Sequence, residues 1–483
     1  MRRAWIVTLA ISLASCMVGP SYQRPEVPTP AGYRGADSAT IVDSAKSIAD
    51  MPWFQYFRDT TLQRLVTEAI DSNFDLRIAT TRIAQAEASY GIAHSAIFPQ
   101  VAAGAGATAN QYSINAGQVP TGGAGHYAGL YGVDLGLNWE LDLWGRVRSL
   151  SASAEAQYLA TVDARRGVLI SLIASVSQAY FDLRELDFEL AIAQSTLQTR
   201  LGTLRLFNNR FQGGVASGLE VAQAQGDVAV AQASIPNLQR RIAQQENLIN
   251  FLLGKGPGPV ARPHALDSAF TVPAIPLGLP STLLERRPDV LASEQLLVSA
   301  NADIGVAKAD YFPRVSLTGL LGVASTDISN LFSANSIIAS AGGSLLQPIF
   351  TGGRIKQSVA LAYARRDEAI AQYLKSTQSA FRETSDALIA VQKSGEVRTA
   401  TEAQAVALKE AARLARVRYD GGLANYLEVL DADRRYFQAQ NEYAQSLGAQ
   451  SNAYVALYLA LGGGWTATDS TAKDSTAAPP PKK

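Results

Sequence analysis

The chain states its central part twice. Arg210-Phe211-Gln212-Gly213-Gly214-Val215 returns as Arg418-Tyr419-Asp420-Gly421-Gly422-Leu423, and Leu219-Glu220-Val221 returns as Leu427-Glu428-Val429. Gly145-Arg146-Val147-Arg148 returns as Gly353-Arg354-Ile355-Lys356, and Leu253-Gly254 as Leu461-Gly462, all at an offset of about 208 residues. Earlier, Gly91-Ile92-Ala93 and Phe98-Pro99 match Gly305-Val306-Ala307 and Phe312-Pro313 at about 214. Solenoid repeats recur every ~20–50 residues, so this is a duplicated structural unit instead. The drift in offset means that the segments between the matches differ slightly in length.

At 483 residues there is room for two or three ordinary domains. A formal net charge of +0 supplies no basic field for nucleic acid. One cysteine and three histidines allow neither a disulfide within one chain nor a Cys/His metal cluster. Beyond the N-terminus no stretch of ~20 apolar residues would make a membrane helix, although β-barrel strands carry a weaker, alternating signal. Met1-Arg2-Arg3 followed by apolar Ala4 to Ala14 is a targeting segment. It closes on Leu13-Ala14-Ser15-Cys16, which resembles a bacterial lipobox; an ordinary signal peptide with an incidental cysteine fits the same residues. A lipid on Cys16 would contribute ~0.8 kcal/mol per buried CH₂, and two or more chains make the anchoring stable. Met17 in place of aspartate resembles the sorting pattern of outer-membrane lipoproteins.

The expected organisation is a signal peptide at 1–15, a lipidated strap at 16–58, repeat one at 59–260, a linker at 261–280, repeat two at 281–464 and a disordered tail at 465–483. The strap, with Gly19-Pro20-Ser21-Tyr22-Gln23-Arg24-Pro25, also suits a solvated linker. A helix opens at the capping residues Asp59-Thr60-Thr61 and runs at helical spacing to Phe98, where Pro99 stops it. From Val101 the period becomes two. Tyr131, Val133, Leu135, Leu137, Trp139, Leu141 and Leu143 alternate with Gly132, Asp134, Gly136, Asn138, Glu140 and Asp142. One face is apolar and the other carries three carboxylates. The run exceeds an ordinary strand and approaches the ~10 residues of a membrane-barrel strand. Val101 to Ile114 pairs with it as a hairpin, with Gln118 to Gly125 as the loop. Val315-Leu317-Gly319-Leu321-Val323 and a strand reaching Phe350 repeat the pattern. Four strands cannot close a membrane barrel, for which about eight is the minimum. Either there is no barrel, or several chains share one.

Each hairpin leads into a proline-free helical pattern of about 65 residues, Arg146 to Arg210 and Arg354 to Arg418, or ~100 Å at 1.5 Å per residue. Such a helix must lie along others, as in a coiled coil. Gly213-Gly214 and Gly421-Gly422 end these helices, and return helices follow to Leu253 and Leu461. Pro236 should kink the first return helix, whereas its counterpart is Ala444.

An anchor, four long strands, two very long helices and a duplication together resemble the TolC family of outer-membrane efflux proteins, in its NodT/OprM-like lipoprotein branch. The most specific element is Gly278-Leu279-Pro280-Ser281-Thr282-Leu283-Leu284-Glu285-Arg286-Arg287-Pro288-Asp289-Val290, which resembles the family's opening of repeat two. Asn73-Phe74-Asp75-Leu76 and Phe350-Thr351-Gly352-Gly353-Arg354 match further. The resemblance implies an α+β fold in which four strands per chain enter a trimeric, twelve-stranded outer-membrane β-barrel, continued by a periplasmic α-helical barrel. It implies an exit duct of a tripartite efflux system. The partners would be two further copies, outer-membrane lipid, a periplasmic adaptor protein and an inner-membrane pump of the RND type, with no nucleic acid. A type I secretion conduit of the same fold is the alternative; a non-conducting periplasmic coiled-coil spacer would have no lipid-facing strands, and the alternation from Tyr131 to Leu143 argues against it.

No nucleophile, base and metal come together, and His94, His126 and His264 are scattered, so neither catalysis nor a cofactor beyond the lipid on Cys16 is expected. By resemblance the two tips dock the adaptor: Gly213, Gly214, Val215 and Ser217, with Gly421, Gly422, Leu423 and Asn425. A plain helical hairpin would use the same residues. By resemblance also, Leu427, Asp431 and Arg434 narrow the periplasmic end as a gate, Asp431 and Arg434 lying three apart on one helix face. A solvated ion pair of tenths of a kcal/mol is the simpler reading of that spacing. Their counterparts are Leu219, Gln223 and Gly226, so charge is expected in repeat two alone, with repeat two moving and repeat one acting as scaffold.

Overall fold

The structure, a computed structural model, describes residues 17–30, 32, 34, 51–111, 127–263 and 283–463. The expected signal peptide, Cys16, residues 35–50 of the strap, the hairpin loop at 118–125, most of the linker, the tail from 465, and His126 and His264 lie outside these residues. In chain order come α1 (Trp53–Tyr56), α2 (Thr60–Ser72), α3 (Phe74–Ser95), β1 (Gln100–Gln111), β2 (Tyr127–Leu141), α4 (Arg146–Gln212) and α5 (Gly218–Leu252). Then follow α6 (Leu283–Arg286), α7 (Pro288–Ala309), β3 (Arg314–Ser325), β4 (Ile337–Leu346), α8 (Arg354–Asp420) and α9 (Tyr426–Ala460). The duplication is visible element by element. Both long helices have 67 residues and both return helices have 35.

The chain divides into two units, and each repeat supplies part of both. One unit takes in residues up to Glu26, Arg82–Val162 and Ala292–Tyr373, and it holds the sheet. The sheet is antiparallel in the order β1-β2-β3-β4. Its register aligns Ala103, Leu135, Leu321 and Ala339 in one row, with Ala105, Val133, Val323 and Ile337 in another. Rows two residues apart share a face, so the alternation of β2 becomes one apolar face across all four strands. That face is not covered by the other described residues: Leu135 is 51% exposed. The opposite face carries Asp134, Asn138 and Thr318 among mostly small residues, with Leu320 and Ile338 as its large apolar members. Gly322 stands opposite Asp134, and a Cβ there would lie 2.3 Å from the Val133 carbonyl oxygen. The outer edges of β1 and β4 have no strand beside them among the described residues.

The strap is seated in the same unit. Asn301 Nδ2 donates to the Pro20 carbonyl at 2.9 Å, Tyr22 donates to Glu294, and Arg24 forks onto the same carboxylate. The Phe-Pro pairs have a mechanical part. Trp139 Nε1 donates to the Ile97 carbonyl at 2.9 Å, and Trp144 Nε1 to that of Pro313 at 2.8 Å, which fixes where each helix turns into its strand.

The second unit takes in Val27–Thr81, Asp163–Leu291 and the chain from Leu374. Its core gathers Leu62, Leu65, Val66, Ile173, Val176, Tyr180, Leu183, Ile249, Leu457 and Tyr458. Two symmetric knots close it. The Leu252 and Leu253 carbonyls at the end of α5 accept from Asn73 Nδ2 and Ser72 Oγ. At the end of α9 the Ala460 carbonyl accepts from Arg287 and Thr384. Helix ends leave such carbonyls without intrahelical partners, and these side chains supply them. Arg287 also forks onto Asp289 and reaches Glu383 at 2.7 Å. The Arg287-Pro288-Asp289 run is thus a fastener between the start of α7 and the end of α9.

Several expectations are corrected. The single helix from Asp59 to Phe98 is two helices, α2 and α3. Asn73 leaves helical geometry with ψ 132°, and its Oδ1 caps the next helix by accepting from Leu76 N. Helix α3 ends at Ser95, before Pro99 is reached. The short α1 carries no periodic signal. Strand β4 ends at Leu346, since Pro348 has no N–H for a ladder, and Phe350 lies beyond it.

Candidate functional site

The tips are alike in detail. In the first, Gly214 takes φ +75°, Val215 N donates to the Arg210 carbonyl and Gly214 N to that of Phe211. In the second, Gly422 takes φ +72°, Leu423 N donates to the Arg418 carbonyl and Gly422 N to that of Tyr419. This is the left-handed helix ending that glycine accepts at least cost. Gly213 and Gly421 do not need a positive φ, so one glycine of each pair carries the turn. Ser217 and Glu220 then form a capping box at α5, and Asn425 Oδ1 accepts from Glu428 N at α9. These local bonds leave Val215 78% and Leu423 76% exposed at matching points, with Leu219 and Leu427 beside them.

Behind the tips lies a small core that the sequence did not announce. Phe207, Ala224, Ala415, Tyr426, Val429 and Leu430 are buried together. Phe207 meets Tyr426 edge-on at 4.3 Å, and Arg210 donates to the Tyr419 hydroxyl at 2.7 Å. A cleft of about 230 Å³ opens beside them, lined by Leu206, Phe207, Arg416, Tyr419, Tyr426 and Val429.

The expected gate residues do not pair with one another. Asp431 receives Arg435 Nε at 2.9 Å, and both side chains are mostly exposed. Arg434 turns instead to repeat one, placing Nη2 at 2.8 Å from Asp227 Oδ1. Arg200 donates to the Asp227 backbone carbonyl at 2.8 Å. Asp227 is only 5% exposed, and its Oδ2 has no hydrogen bond. The expectation that charge sits in repeat two alone is therefore wrong. The alignment compares 431 and 434 with Gln223 and Gly226, and the acid lies one residue further on. The signal that could have found it was a lone carboxylate on the small-residue face Ala224, Val228, Ala231 of α5, which only a partner makes tolerable.

Asp433 points to Arg416, 3.1 Å away. Burial pushes its carboxyl above the ordinary range, while Arg416 pulls the other way. Tyr426 is pushed up to about 12, by burial first and then by Asp227 and Asp433. Arg200, Asp227, Tyr426, Asp433 and Arg434 thus form one charged patch joining the hairpins of the two repeats. His94 hydrogen-bonds to Ser151 Oγ at 3.0 Å, away from these residues in sequence and in partner. No group of acids, histidines or cysteines suited to a metal occurs among the described residues. No described helix is long and apolar enough to cross a membrane.

Paired long helical hairpins with matched tips, and a four-stranded sheet with a bare apolar face and open edges, define a channel-forming protein of the outer membrane. The comparisons agree. The profile of the outer membrane efflux protein family matches residues 65–255 and again 279–463, one match for each repeat, and the chain belongs to this family. Outer membrane protein OprJ of Pseudomonas aeruginosa is 37% identical over 459 residues, covering 95% of each chain. The toluene efflux pump outer membrane protein TtgF of Pseudomonas putida is 36% identical over 466 residues, covering 95% of this chain and 96% of its own. Among solved structures, the open state of the Neisseria gonorrhoeae MtrE outer membrane channel superposes with a TM-score of 0.84 at 33% identity, covering 93% of this chain and 98% of its own. The chain is an outer-membrane efflux channel that extends into the periplasm.

Proposed function

We propose that three copies of this chain form one exit duct, each contributing its four strands to a twelve-stranded barrel and its helical hairpins to a periplasmic tube. The observation that carries this reading is the sheet: among the described residues it has one continuous apolar face with no cover and open edges at β1 and β4. A lone exposed edge invites another strand, and barrels remove edges altogether. Lipid takes the apolar face, and the Asp134 face lines the lumen. The Cys16 thiol carries the anchor. The tips dock a periplasmic adaptor, with Val215 and Leu423 as twin apolar contacts, and an inner-membrane pump, of the RND class by resemblance, supplies the energy. The family is one of transport proteins, and we assign this chain no catalytic role.

The gate is a latch between repeats rather than a pair within one helix. Arg434 on α9 and Asp227 on α5 hold the two hairpins together, and Asp431 presents its charge beside them. Like charges brought to ~5 Å around a threefold axis repel by ~3 kcal/mol at an effective dielectric of 20, so a closed ring of Asp431 needs cations near it, and Arg435 is one. The test is single-channel conductance in planar bilayers. Arg434→Ala and Asp227→Ala should each raise the conductance several-fold, and the double variant should do little more than either alone. Conductance equal to that of the wild type in both single variants would remove the latch.

A further inference from the structure

Another contact between the repeats involves neither the tips nor the latch. Helix α4 carries Asp182, Glu185 and Glu189 along one face, and α9 answers with Asn452, Gly448 and Gln445 in antiparallel order. Asn452 Nδ2 donates to Asp182 Oδ1 at 2.7 Å, and Gln445 Nε2 donates to Glu189 Oε1 at 2.9 Å. The middle rung differs. A Cβ on Gly448 would lie 1.8 Å from Glu185 Oε2, so the carboxylate rests against bare helix backbone and receives no side-chain donor from α9. The cation facing the row, Arg241 of α5, is engaged with Glu189 at 3.2 Å. Asn452 Oδ1, one rung away, is buried with no hydrogen bond. The row is not inherited from the duplication: the counterparts of Asp182, Glu185 and Glu189 in repeat two are Ala390, Lys393 and Val397.

Three carboxylates at spacings of three and four repel one another when all are ionised, and a half-buried acid without a donor is costly to keep charged. A neutral Glu185 reverses both effects. It removes the middle charge and gains an O–H that a neighbouring carboxylate or the Asn452 amide oxygen can accept.

We propose that Glu185 is a proton-operated rung, which takes up a proton as the periplasm acidifies and tightens α4 against α9, and which loses it at alkaline pH and loosens them. Its carboxyl is pushed up to about 7, by burial first, then by Glu189 and Asp182, with Arg241 opposing. An acid whose folded pKa is raised stabilises the fold below its unfolded value, and that contribution fades as pH rises through the folded one, here near 7. The tighter state is therefore the acidic one. This inference stands apart from the duct and its latch, because it concerns the packing of one chain.

The experiment is amide hydrogen exchange on the full-length protein at pH 5.5 and pH 8.5, corrected for intrinsic rates, read over residues 182–189 and 445–452. Protection in the wild type should fall about tenfold at the higher pH relative to core segments such as 60–72. Glu185→Gln, neutral at every pH, should show no such fall and exceed the wild type at pH 8.5. Glu185→Ala, which lacks the longer side chain seated over Gly448, should be equally flat. A flat wild-type profile, or the wild-type slope retained in either variant, overturns the proposal.

Discussion

Single residues in this chain act through what they cannot do elsewhere. Gly214 and Gly422 are kept because an L side chain at φ +75° or +72° is strained. Gly422→Ala or Gly214→Ala should cost the local fold about 1 kcal/mol. Amide exchange should then show about fivefold less protection over the mutated turn, with the other tip unchanged as the internal control. Loss at both tips together would mean that the two turns are one cooperative unit. Asp227 shows the converse lesson. It is legible as an oddity in sequence, a carboxylate among alanines, but nothing local says what neutralises it. Its partner lies 207 residues away in the other repeat, a pairing that the i,i+3 spacing of Asp431 and Arg434 does not contain.

At the scale of elements, the strongest joints are helix ends. Arg287 serves four acceptors: both Asp289 oxygens, Glu383 and the Ala460 carbonyl. Asp289 and Glu383 are partly solvated, so Arg287→Ala should cost less than a fully buried pair, about 2 kcal/mol, and lower the thermal midpoint of a 483-residue chain by roughly 2 °C. Arg287→Lys should recover little, because an ammonium cannot fork onto Asp289 while also reaching the carbonyl. An unchanged midpoint in Arg287→Ala would show that the Arg-Pro-Asp run is not the fastener. In the sheet the two faces predict opposite tolerances. Leu135→Arg places charge on the apolar face and should cost about 2–4 kcal/mol of insertion near the bilayer midplane, seen as loss of the heat-modifiable form on gels. Asp134→Asn, on the other face, should leave assembly intact. Equal tolerance of both would contradict a lipid-facing row.

For the whole molecule, the open sheet edges make the sharpest prediction. The sequence holds one cysteine, Cys16, where the lipid would attach, so engineered thiols are free of competition. One cysteine introduced on β1 and one on β4, at positions that face across neighbouring copies, should yield covalently linked dimers and trimers on oxidation. Chains that remain single at every facing pair would exclude a shared barrel. The duplication explains why one closed ring can be built from few chains, because each brings two hairpins of strands and two of helices.

Periodicity determined much by itself. The two long helices, the strand alternation, the glycine turns and their caps follow from local rules: helical spacing, a period of two, and backbone conformations that only certain residues accept. The duplication and the resemblance it supports were equally present in the chain. Element ends inside the helical run were not, because helical spacing runs on across Asn73, and only its extended backbone and its bond to Leu76 N part α2 from α3. Pairing between repeats was decided only in three dimensions. Arg434 with Asp227, and Gln445 and Asn452 with the acids of α4, join residues 207–270 positions apart, and within repeat two Arg287 reaches the end of α9 across 173. Such partners are selected by burial, where an unpaired charge or carbonyl is costly, and burial is a property of packed helices that no local pattern contains.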